Sequence, residues 1–168
     1  MVASRTVPAT VVERRDAGKA QHESLEHEAS HVLNEARMVL PGIQALFGFQ
    51  LVAVFSQRFE SALASWQQLV HLAALLLVAI AVAVIMTPAA YHRQAERGRI
   101  SDHFLRLASN LIALAMLPLA AGISMDVFVV AGVITEDQVL SAALGTLLFC
   151  VFVGAWFAFP YLSRTGRR

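Results

Sequence analysis

The chain has 168 residues, of which 57% are hydrophobic and 15% charged, with a formal net charge of +1 and a mean hydropathy of +0.61. Soluble domains carry about a quarter charged residues, so this shortfall places much of the apolar surface in lipid. No basic block stands clear of the apolar runs, which excludes a nucleic-acid partner. The single cysteine, Cys150, excludes an intrachain disulfide and a Cys-based zinc site.

Residues 1–20 are polar, mixed in charge and broken by Pro8 and Gly18, and read as a disordered tail with no secretory h-region. Residues 21–37 read as an amphipathic helix, with Leu25, Ala29, Val32, Leu33 and Ala36 on one face. Pro41 marks either a kink or the first turn of a new helix, and the sequence leaves both open. Residues 38–162 then hold four apolar runs, about 39–57, 69–91, 104–132 and 136–162, each long enough to cross a bilayer. A short link between the first two carries Trp66, suited to a membrane interface. The longer link after the second run offers Gly98 as a turn and Ser101 as an N-cap. Thr135–Gln138 reads as a capping box that opens the fourth run, with Thr135 as N-cap. Ser141, Gly145 and Gly154 on that run allow close helix approach. Residues 163–168 form a basic tail. The fold class is therefore all-α, a polytopic membrane protein of four transmembrane helices in a bundle, preceded by an amphipathic helix.

Orientation follows from the 13 lysines and arginines. Arg5, Arg14, Arg15, Lys19 and Arg37 precede the first run, Arg93, Arg97, Arg99 and Arg106 surround the middle loop, and Arg164, Arg167 and Arg168 close the chain. Arg58 stands alone on the other side. This asymmetry predicts both termini and the middle loop in the cytoplasm.

Four polar residues inside the runs are candidates for function: Gln44, Gln50, Asn110 and Asp126. An acid in an apolar helix is costly unless hydrated or paired, so Asp126 suggests a cation or proton site. Ser124 lies beside it, and His71 or Arg58 falls at the same membrane level. Counted from Leu107, however, Asp126 lies about 28 Å along its helix, where the outer headgroups would simply hydrate it. That hydrated carboxylate is the favoured reading. Gln44 and Gln50 are six residues apart and so not on one face. Hydrogen bonding between helices explains such amides best, and a polar path shared with Asn110 is the alternative.

His27-Glu28-Ala29-Ser30-His31 fits H-E-x-x-H, with His27 and His31 as metal ligands and Glu28 as general base. Glu35 is the nearest third ligand, and His92, Asp102 and His103 lie on the same side. The preceding tail offers no scaffold to enclose a metal and a peptide, so a polar helical face is favoured over zinc binding, and zinc binding over catalysis. Arg93, Arg97, Arg99 and Arg106, with His92 and His103, could hold an anionic headgroup, although topology alone accounts for them.

Three elements carry a family resemblance. Glu35-Ala36-Arg37 precedes the first run, Leu40-Pro41-Gly42-Ile43-Gln44 opens it, and Pro88 with His92-Arg93 closes the second. Over about Leu33 to Leu162 the chain resembles a family of small bacterial integral membrane proteins with no assigned function. The resemblance implies four membrane helices and supplies no activity.

Three function classes follow. The first is a non-catalytic membrane-embedded interaction or accessory protein of a bacterial inner membrane, binding the bilayer and a second membrane subunit or copy, with no cofactor. A small homo-oligomeric channel or transporter is the second, with Gln44, Gln50, Asn110 and Asp126 as its path. A zinc enzyme built on the HEASH stretch is the third. An enzyme is the less favoured outcome.

Overall fold

The computed structural model describes residues 9–95 and 101–165, with side chains for 23–57, 59–94 and 101–163. Every long element is a helix. Helix α1 (Ala9–Val54) is followed by the short α2 (Gln57–Ala62), then α3 (Ser65–Ala95) and α4 (Asp102–Thr135). Helix α5 (Gln138–Val153) runs through a π-helical turn (Gly154–Ala158) into α6 (Phe159–Thr165). Four stretches have the length and hydropathy to cross a membrane: Glu23–Val54, Ser65–Gln94, Asp102–Thr135 and Gln138–Ser163. The shortest has 26 residues, about 39 Å of helix against a hydrocarbon core of about 30 Å. Their number is the one expected from the four apolar runs.

Helix α1 resolves what the sequence left open at Pro41, since it continues unbroken through that residue. The proline removes one N–H and blocks one carbonyl. Packing on both sides of it holds the helix: Ala29, Val32 and Leu33 before it, Leu40 and Ile43 around it, and Phe47 beyond it, all lie against other helices. The helix also begins at Ala9, inside the segment read from sequence as a disordered tail. No proline follows Pro8 until Pro41, so nothing in that stretch blocks a helical ladder. Residues 1–8, the Gly98 turn and Arg167–Arg168 lie outside the described residues.

Two core clusters order the spans along their length. Ile43, Val78, Ala81, Ile85, Ala115 and Leu119 join α1, α3 and α4 near mid-span, with Trp156 of the π turn packed against them. Ala29, Phe104 and Ala108 form a second cluster, with Val32, Leu33, Tyr91 and Leu105 around it. This orders one end of the molecule: Tyr91 of α3 and Phe104 and Leu105 of α4 lie there beside Ala29, Val32 and Leu33 of α1. The opposite end holds the turn from α1 through α2 into α3.

Helices α3 and α4 approach most closely at Gly122. A Cβ there would sit 2.9 Å from the Ala74 carbonyl oxygen and 2.9 Å from Val78 Cγ2. Helix α5 rests on α4 at Gly145, where a Cβ would lie 3.0 Å from both Phe128 Cβ and the Ser124 carbonyl oxygen. Gly154 has nothing within 4 Å among the described residues, so it makes no close approach within this chain and is left for contact between copies.

The two ends of α4 show one expectation met and one corrected. Ser101 caps α4 by accepting a hydrogen bond from Phe104 N at 3.2 Å. The N-cap of α5 is Asp137 rather than Thr135, its carboxylate accepting from Val139 N at 2.8 Å and Leu140 N at 3.2 Å. Thr135 instead ends α4, because Glu136 turns left-handed at φ 54° and breaks the helix one residue later than a capping box needs.

Candidate functional site

The polar residues that the structure brings together are Gln50, His71 and Asp126, one from each of α1, α3 and α4. Gln50 lies seven residues, two turns, beyond Ile43 and so continues the inward stripe of α1. His71 lies on the buried edge of α3 below Ala74 and Val78. Asp126 follows Gly122 by one turn, so the close crossing of α3 and α4 carries its carboxylate to the imidazole.

The contacts form a closed set. His71 Nδ1 lies 2.9 Å from Asp126 Oδ1, and His71 Nε2 lies 3.1 Å from the Gln50 carbonyl oxygen. The Gln50 side-chain amide donates to Asp126 Oδ2. Gln50 is 4% exposed, and the side chains of His71 and Asp126 are 10% and 17% exposed. The carboxylate is therefore paired and half-buried, where the sequence favoured a carboxylate that is simply hydrated. Phe59 of α2 meets the His71 ring edge-on at 5.5 Å. Two hollows, of about 430 and 230 Å³, adjoin the imidazole, and Phe59 and His71 line both. Gln50 Oε1 and Ser124 Oγ are buried without a hydrogen-bond partner among the described residues.

Gln44 and Asn110 do not join this cluster. Both are exposed on the outer faces of α1 and α4, and neither makes a side-chain hydrogen bond among the described residues. Gln44 is one residue, about 100° of rotation, from the inward Ile43. The four amide and acid candidates therefore do not line a common path within one chain.

In the HEASH stretch, His27 Nε2 and His31 Nε2 lie 3.0 Å apart with their rings edge to face at 4.5 Å. Both are exposed, as are Glu28 and Glu35, while Ala29 between them is buried against Phe104 and Ala108. Among the described residues no three His, Cys, Asp or Glu side chains converge as a metal would require. Arg93 and Arg106 are exposed at the α3–α4 end, whereas Arg97 and Arg99 lie outside the described residues, as does the side chain of Arg58. The His92 ring lies tilted against Phe104 at 5.3 Å, and its Nδ1 is buried without a partner among the described residues.

The sequence had placed His71 only as a neighbour at the level of Asp126. A histidine two turns into an apolar helix was its available signal, and its pairing with Gln50 depends on the phase between helices, which one sequence does not carry.

Four apolar helices of membrane-crossing length, closed at one end by a three-helix polar cluster, define a protein of the multi-pass helical membrane class. The model of a family of unknown function, DUF6328, matches residues 18–160, and the chain belongs to that family. As the resemblance implied, the family carries no assigned activity. No curated protein and no solved structure matches the chain.

Proposed function

We propose that this is a membrane-embedded interaction protein without chemistry of its own, held in an inner membrane with both termini and the α3–α4 loop in the cytoplasm. The single observation that supports it most is Gln44. Its carboxamide is exposed at the level of the mid-span core residue Ile43, with no partner among the described residues. An unpartnered amide facing hydrocarbon costs roughly 2 kcal/mol or more, whereas a hydrogen bond to a neighbouring helix removes that cost. A second copy offers the simplest such neighbour, because Gln44 then meets Gln44 across a two-fold axis. Burial leaves α1 open to such a neighbour: a third of the α4 window is covered by the chain itself, but 11% of the α1 window and 6% of the Gln138–Ser163 window.

Cysteine at position 44, in a Cys150→Ser background, tests this in native membranes. A disulfide-linked dimer formed at position 44, and absent when cysteine replaces the neighbouring exposed Ala45, supports the reading. Equal cross-linking at both positions, or none at either, contradicts it.

A second reading, metal binding without catalysis, draws on the His27–His31 pair. Two imidazoles each about 2.1 Å from one tetrahedral ion hold their nitrogens roughly 3.4 Å apart, a little beyond the 3.0 Å seen. The remaining ligands would come from water or another chain. Zinc retained by the purified protein and lost in the His27→Ala, His31→Ala variant supports this reading, and equal zinc in both contradicts it.

A further inference from the structure

We propose that Gln50, His71 and Asp126 form a proton-binding site whose bound proton ties α1 to α3 and α4. The inference goes beyond the interaction reading and is independent of what covers Gln44.

The argument is a count of donors. Each ring nitrogen of His71 faces an oxygen: Asp126 Oδ1 at 2.9 Å and the Gln50 carbonyl at 3.1 Å. A carbonyl and a carboxylate only accept, and a neutral imidazole has one N–H. A neutral His71 beside an ionised Asp126 therefore satisfies one contact and turns a lone pair on an oxygen at the other. One added proton closes the set. It sits on the ring, giving imidazolium with carboxylate, or on Asp126, giving imidazole with carboxylic acid. Both forms are neutral overall, which suits a cluster enclosed between membrane helices. Release returns the proton to solvent and leaves one net negative charge with one contact broken. The Gln50 amide, donating to Asp126 Oδ2, holds the carboxylate in place in every form.

Among the described residues the surroundings add no competing charge, the Arg58 side chain lying outside them. Asp126 is the one ion-pair partner of His71 among the described residues. Helix α1 presents the neutral Gln50 and α2 presents Phe59, while Glu60 of α2 is exposed. On α3 itself, Gln68 shares the larger hollow with His71. The hollows on either side of Phe59 give the imidazole a route to the α1–α3 connection. Because the closed arrangement holds one proton more than the opened one, closure weakens as pH rises through release of that proton.

The test uses the full chain in lipid nanodiscs, with ring nitrogens of His71 and the carboxyl carbon of Asp126 followed by NMR against pH. The proposal expects the pair to step from two protons to one, with the Gln50 side-chain amide signal moving at the same midpoint. Asp126→Asn should abolish that step in the Gln50 signal. A pair that carries one proton throughout while the Gln50–His71 contact persists would overturn the proposal. So would a Gln50 signal that keeps its pH step in Asp126→Asn. Should that variant fail to fold, the wild-type titration decides alone.

Discussion

At the scale of single residues, the outcome for an intramembrane polar side chain depends on helix phase. Gln44 and Gln50 look alike in the sequence, each an amide in an apolar run. Gln50 keeps step with Ala29, Ala36 and Ile43 and is buried, while Gln44 falls one residue off that stripe and is exposed. The stripe itself was legible, so Gln50 could have been assigned to the inward face. Its meeting with His71 could not, because nothing in one chain fixes how α1 is rotated against α3. Removing Asp126 alone leaves the His71 imidazole without its carboxylate, and removing both leaves an apolar contact. The losses from Asp126→Leu and His71→Leu should therefore sum to roughly 1–2 kcal/mol more than the loss in the double variant, a coupling read from a double-mutant cycle of unfolding. Additive losses would show that the pair contributes no mutual stabilisation.

At the scale of elements, glycines separate helix contacts from open surface. Gly122 faces the Ala74 backbone, which has no free end to move, so Gly122→Ala must push α3 and α4 apart. A loss of about 1–3 kcal/mol is expected, with a lowered melting temperature. Gly145→Ala meets Phe128 and Ser124 at slightly longer range and should cost less. Gly154→Ala meets nothing within 4 Å and should be neutral. The sequence ranked Gly145 and Gly154 together because spacing alone does not say which face α5 turns to α4. The α4–α5 turn was legible as a capping region but placed two residues early. The left-handed Glu136 is the cause, and Glu136→Gly should stabilise the turn by about 1 kcal/mol, measured by thermal unfolding. Loss of stability in that variant would mean that the Glu136 side chain contributes more than its backbone strain costs.

At the scale of the whole molecule, the number of spans and their apolar character were legible because a bilayer imposes a length that composition alone reveals. The continuity of α1 through Pro41 was not, since it rests on contacts made by residues on both sides of the proline with α3 and α4. What distinguishes this chain is the uneven distribution of its contacts. Helices α3 and α4 form the packed centre, and α1 keeps a largely uncovered face that carries an amide at mid-span. The central claim is that this face engages another helix. Disulfide trapping at position 44 in intact membranes tests it most directly. A dimer specific to cysteine at 44 and lost at 45 is the predicted result, and position 44 behaving like any lipid-facing site would contradict it.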